Sequence, residues 1–283
     1  MKSTCATCCL SLFLIVLAAT AAAEEREGGR ALALGDSVVF GYITQAGHQY
    51  VNANNFIGSP EYFAGLLHLN VANAGCPGEA TSSFLSSTGA DNGCRAFRAE
   101  FPLHVAYSST QLAFATTFLR HHPDARLVSV GLGANDLFLL EEACATNPNP
   151  SQCIDAGLPA TLSEVAFNMA TILADLRATG FGGVLVIVNY YSLDYSDPAG
   201  TRITELLNHA ITASAEAYGA VVADVFTAFK RVVANPAVGG KTCNAGLLNV
   251  DPQDQTLCDV HPSQSGQQLI AKTIARTYRE ARW

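Results

Sequence analysis

Five short stretches of this chain, 30–34, 69–72, 127–130, 184–188 and 220–225, are apolar with almost no polar alternation. A strand with one face in water alternates apolar and polar residues, so unbroken runs call for strands buried on both faces, as in a sheet with helices on either side. The stretches between them have helical period. Leu162, Val165, Ala166, Met169, Ile172, Leu173 and Leu176 fall on one stripe. Ile203, Leu206, Leu207, Ala210 and Ile211 repeat it, as do Leu269, Ile270, Thr273 and Ile274. Strand and helix alternating in this way predict an α/β fold with a doubly wound parallel sheet.

The first residues set a boundary. Lys2 is followed by an apolar run, 8–17, and then by Ala21, Ala22 and Ala23, the pattern of a secretory signal peptide. The run is shorter than the ~20 residues of a spanning helix, so residues 1–23 are expected to be cleaved, with no stable membrane anchor left behind. Residues 24–283 are expected to form one domain, since no linker, repeat or low-complexity stretch divides them. The net charge of −8, one unit more negative without Lys2, disfavours phosphate backbones and anionic membranes as partners; no nucleic-acid role is expected.

Three of the nine cysteines lie in the leader. The other six form sequence-local couples, Cys76 with Cys94, Cys144 with Cys153, and Cys243 with Cys258. An even number after export suggests disulfides, although six cysteines allow fifteen pairings; nearest-neighbour pairing would add about 2–4 kcal/mol per loop. Among these six, neither a Cys-x-x-Cys pair nor a tight Cys/His cluster signals zinc, and no metal or cofactor is expected.

In doubly wound sheets ligands sit beyond the carboxyl ends of the strands. The first apolar run leads into Gly35-Asp36-Ser37, the second into Asn73-Ala74-Gly75-Cys76-Pro77-Gly78-Glu79, and the third into Gly131-Leu132-Gly133-Ala134-Asn135-Asp136. Near the C-terminus, Asp259-Val260-His261-Pro262 precedes the last helical stretch, and Pro262 bars that helix from reaching back through His261. Taken singly these blocks are ordinary: Asp and Ser are good N-caps, and Gly-Pro marks a turn. In this order, however, Gly-Asp-Ser, Asn-x-x-x-x-Gly, Gly-x-Asn-Asp and His-Pro resemble the SGNH (GDSL-like) hydrolases, across nearly the whole mature chain.

That resemblance implies a three-layer α/β/α fold with five parallel strands. It also implies a secreted serine ester hydrolase in which Ser37 attacks and His261 serves as general base. The Ser37 and Gly78 N–H groups and the Asn135 amide would hold the oxyanion, Gly78 being chosen over Gly75 by its spacing from Asn73. The family's usual Asp-x-x-His ending is broken, because Cys258 stands where the acid belongs and Asp259 follows it. Asp259 reaching His261 through a turn, a backbone carbonyl, or Asp251 or Asp254 are the alternatives for orienting the imidazole. A monomer acting on small-molecule or lipid esters is expected, with an acyl cleft drawn from Phe40, Tyr42, Phe84, Leu137, Phe138, Leu139, Tyr190 and Tyr191. A polysaccharide deacetylase, an acyl transferase, and a silent fold that binds glycans or a protein are the competing readings.

Overall fold

The computed structural model describes residues 28–254 and 256–282, so the predicted leader, 1–23, lies outside the described residues. The main sheet comprises β1 (Arg30–Gly35), β2 (Asn70–Asn73), β3 (Ala125–Gly131), β4 (Val184–Val188) and β5 (Ala220–Ala223), all parallel, in the order β2-β1-β3-β4-β5. A separate antiparallel pair, β6 (Leu248–Val250) and β7 (Cys258–Pro262), follows. Ten α-helices are present among the described residues, besides short 3-10 turns at Gly47–Val51, Ala53–Asn55 and Glu216–Tyr218: α1 (Ser37–Phe40), α2 (Ser59–Leu67), α3 (Thr81–Leu85), α4 (Cys94–Glu100), α5 (Gln111–His121), α6 (Ala134–Cys144), α7 (Pro150–Ala178), α8 (Pro198–Thr212), α9 (Val225–Val233) and α10 (Gln264–Glu280).

The unbroken apolar runs have their cause in the two cores. Leu32 and Leu34 of β1, with Val128, Val130, Leu185 and Ile187, pack on one face against α3, α5, α7 and α8. Ala31 and Ala33, with Leu127, Val186 and Val188, pack on the other against α2, α9 and α10. Successive strand residues point to opposite faces, and here both faces are dry. Each fully buried Leu or Ile contributes ~1.5–3 kcal/mol of transfer free energy. This is the three-layer arrangement the sequence predicts. The fifth run ends two residues early, because the Asp224 side chain accepts from the Thr227 N–H and opens α9 at Val225. The stripe at 162–176 is only the second half of α7, whose N-terminal half is mostly exposed or half-buried.

Disulfides join Cys76 to Cys94, Cys144 to Cys153 and Cys243 to Cys258. The first ties the loop after β2 to the start of α4, and the last anchors β7.

Candidate active site

Ser37 owes its position to a backbone that only glycine permits. Gly35 ends β1 at φ +146°, and a Cβ there would lie 2.0 Å from the Gly131 carbonyl oxygen on β3. The buried side-chain amide of Gln111 clamps the same residue, accepting from the Gly35 N–H at 2.6 Å and donating to its carbonyl at 3.0 Å. Asp36 then caps α1, its carboxylate accepting from the Val38 N–H at 2.9 Å and from the Tyr190 hydroxyl at 2.5 Å. Burial pushes Asp36 up to about 6 despite those hydrogen bonds. The chain thus turns sharply, and Ser37 stands at the carboxyl edge of the sheet.

His261 arrives from β7. Its Nε2 lies 2.9 Å from Ser37 Oγ, and its Nδ1 lies 2.9 and 2.8 Å from the two carboxylate oxygens of Asp259. The acid reaches the imidazole through a strand, not a turn: residues i and i+2 of an extended chain project to the same side, so Asp259 and His261 are neighbours. Thr44 donates to Asp259 Oδ2 at 2.6 Å. Burial opposes ionisation of Asp259, but the hydrogen bond and charge of His261, helped by Thr44, hold its carboxyl down at about 2. Asp251 and Asp254 are occupied in the β6–β7 connection, accepting from the Gln253 and Thr256 N–H groups respectively. Among the described residues no backbone carbonyl bonds Nδ1. The Tyr42 ring meets the imidazole edge-on, centroids 4.9 Å apart, and the Tyr191 hydroxyl donates to the Val260 carbonyl at 2.7 Å. Both contacts, with the Cys243–Cys258 disulfide, brace the segment carrying the histidine.

Three donors face the same cleft. Neither the Ser37 nor the Gly78 N–H has a hydrogen-bond partner among the described residues. The Gly75 N–H, by contrast, is taken by Asn73 Oδ1 at 3.0 Å. The Asn135 amide donates one N–H to the Glu79 carbonyl at 3.0 Å, and its nitrogen makes only a long contact, 3.5 Å, to Asp36. Two unpartnered backbone donors and an amide with one N–H only weakly engaged, all beside a serine hydroxyl, are what a developing oxyanion requires.

Two cavities flank Ser37. One, of about 300 Å³, is walled mainly by apolar side chains, among them Leu137, Phe138, Tyr191, Ile203, Leu207 and Val260. The other, of about 380 Å³, includes Tyr42, Gly78, Asn92, Phe97 and Asn135. Of the aromatic and apolar residues expected in a cleft, Leu137, Phe138, Tyr190 and Tyr191 line the first cavity and Tyr42 the second; Leu139 lines neither. Phe40 and Phe84 are fully buried core. Thr44, Asn92 and Gln111 carry no sequence signal for a role here, because each acts through a partner distant in sequence. Cys76, Glu79 and Cys94 approach one another closely, but the two sulfurs are joined to each other and offer no thiolate to a metal. No helix among the described residues is long and apolar enough to cross a membrane.

A model of the GDSL-like Lipase/Acylhydrolase family matches residues 33–269. No curated protein sequence matches the chain significantly. Among solved structures, phospholipase A1 from Streptomyces albidoflavus NA297 superposes with a TM-score of 0.57 at 19% identity, covering 89% of this chain and 99% of its own. The acetylxylan esterase Axe2 from Geobacillus stearothermophilus gives 0.54 at 17%, covering 89% and 94%. The α/β hydrolase LAE5 from the metagenome of Lake Arreo, Spain, gives 0.56 at 16%, covering 89% and 95%. At these identities the similarity is one of fold.

Proposed function

The chain belongs to the GDSL-like Lipase/Acylhydrolase family, and from that premise we propose that it is a secreted serine hydrolase of carboxylic esters, with Ser37 as nucleophile, His261 as general base and Asp259 as the acid that orients it. The observation that carries this reading is the continuous contact from Asp259 through His261 to Ser37 Oγ, opening onto an apolar cavity. His261 Nε2 takes the hydroxyl proton as Ser37 Oγ attacks the ester carbonyl. The Ser37 and Gly78 N–H groups and the Asn135 amide stabilise the oxyanion. The imidazolium then protonates the leaving alcohol, and a water activated by His261 releases the acid. Removing one oxyanion donor from such a site costs about 10²–10³ in rate.

The apolar cavity takes the acyl chain. At roughly 30 Å³ for each water-sized group, its volume of about 300 Å³ suits a chain of several carbons better than acetyl alone, which favours acyl esters of lipid type over polysaccharide acetates. The leader pattern at 1–23 and three disulfides support export, since disulfides persist in oxidising compartments. The test is hydrolysis of p-nitrophenyl esters from acetate to palmitate by the chain lacking 1–23 and by its Ser37→Ala variant. Turnover that peaks above acetate and disappears in Ser37→Ala is expected. A protein that neither hydrolyses any of these esters nor reacts with a fluorophosphonate probe would instead be a binding fold.

A further inference from the structure

Asn92 lies in the connection between α3 and α4, outside every motif block, yet it touches both oxyanion donors that are not the nucleophile. Its N–H donates to the Gly78 carbonyl at 3.0 Å. Its own carbonyl oxygen occupies the space beside Gly78, 2.2 Å from where a Cβ would stand. Its side-chain Nδ2 donates to Asn135 Oδ1 at 2.8 Å.

The last contact bears on chemistry. An asparagine amide is nearly symmetric in shape, and turned over it would present its oxygen, a repulsive group, where the nitrogen should meet an oxyanion. A donor aimed at Asn135 Oδ1, together with the Glu79 carbonyl that accepts from Nδ2, selects the orientation in which Nδ2 faces the site. The segment is moored on both sides. Cys94, two residues beyond Asn92, is bonded to Cys76, two residues before Gly78. Asp91 accepts from the Cys94 and Arg95 N–H groups at 3.0 and 3.1 Å, and Arg95 in turn donates to the Gly89 carbonyl at 2.9 Å.

Resting on the assignment of Asn135 to the oxyanion hole, we propose that Asn92 is a positioning residue that holds the Asn135 amide in its productive orientation, on a loop fastened by the Cys76–Cys94 disulfide. The variant Asn92→Asp is nearly isosteric but replaces the donor with an acceptor facing Asn135 Oδ1. It lowers kcat about 10- to 100-fold, less than the 10²–10³ that loss of a whole donor costs, while KM stays within about 3-fold. Its rate of labelling by a fluorophosphonate falls in parallel, since that reaction also builds negative charge on an oxygen in the hole.

A purely structural role would not produce the following interaction. In an Asn135→Ala background, Asn92→Asp costs less than about 3-fold, because the amide it orients is gone. Should Asn92→Asp fold poorly by circular dichroism, Asn92→Ala supplies the same cycle with a smaller single-variant loss. Wild-type kcat in the folded Asn92 variants, or the same fold-loss with and without Asn135, would overturn the proposal while leaving the esterase reading intact. An Asn135→Ala protein with full activity would remove the oxyanion assignment and this proposal together, and Ser37→Ala reports separately on the esterase itself.

Discussion

Replacing Asp259 with Asn keeps the size of the side chain and removes its charge. The carboxyl of Asp259 is held at about 2, against an ordinary 3.8, chiefly by His261 and Thr44 acting against its burial. A displacement of nearly two pH units is worth roughly 2–3 kcal/mol at 1.36 kcal/mol per unit. In the proposed mechanism the negative charge of Asp259 beside Nδ1 stabilises the imidazolium that forms when His261 takes the Ser37 proton, and an asparagine lacks that charge. Asp259→Asn is therefore expected to lower kcat/KM by about 10². It should not reach the ~10⁴ seen when the wrong histidine tautomer is enforced, because Thr44 Oγ1 sits 2.6 Å from Asp259 Oδ2 and can accept from an asparagine Nδ2. That leaves Oδ1 of the new residue to receive the Nδ1 proton. Adding Thr44→Val removes this preference and should bring a further fall of about 10-fold or more. The assay is kcat/KM on the best p-nitrophenyl ester for both single variants and the double. Asp259→Asn within 3-fold of wild type would refute the acid's role, and a double variant no worse than Asp259→Asn would refute that of Thr44.

Gly78→Ala places a Cβ 2.2 Å from the Asn92 oxygen at φ +85°; a loss of about 1–3 kcal/mol in denaturant stability and at least ~10² in kcat is expected, and a stable, active variant would contradict the loop's description. Glu79 is 3% exposed and is pushed up to about 7 by burial, against the hydrogen bonds from Ser83 and Gln111. The folded protein then holds a proton that the unfolded chain, with its ordinary value of 4.5, has released, so stability falls as pH rises through the window from about 4.5 to 7. That fall should be on the order of 3 kcal/mol for this group. Asp36 and Asp136, both raised to about 6, act in the same sense. Asp259 acts oppositely, its contribution fading only as pH drops below 3.8 toward about 2. Urea midpoints from pH 4.5 to 8 should show a decline that is smaller in Glu79→Gln, and a midpoint that rises with pH would refute the assignment. Ile203→Trp, filling part of the apolar cavity, should cut kcat/KM for octanoate about 10-fold and leave acetate within 2-fold; an equal effect on both would move the acyl site elsewhere.

What was legible in the sequence was whatever depends on neighbours along the chain. Burial on both faces appears as an apolar run, and a strand end appears as Gly35-Asp36-Ser37 or Gly131-Leu132-Gly133-Ala134-Asn135, because the sharp turns there select glycine and a capping residue locally. The supports of the site depend on the tertiary fold instead. Gln111 clamps Gly35 from 76 residues away, Thr44 meets Asp259 across 215, and Asn92 reaches Asn135 across 43. Each is an ordinary polar residue in a loop or at a helix start, with nothing in its neighbourhood to distinguish it from a solvated one.

The proposed orienting acid, Asp259, lies between these cases, and it shows why a motif read by spacing can mislead where its geometry would not. A three-residue interval suits a turn, while a two-residue interval suits extended backbone, since only then do both side chains leave the same side. The segment 258–262 is extended because it pairs with β6, Leu248 opposite Pro262 and Val250 opposite Cys258, and because Cys258 is bonded to Cys243. Asp259 at i−2 can therefore do what an acid at i−3 does on a turn, and the cysteine that displaces the acid also helps hold the strand that restores it. The shift of one position and the disulfide are parts of one arrangement: releasing Cys243–Cys258 should loosen the Asp259–His261 contact before it disturbs the main sheet, since neither cysteine belongs to one of its strands.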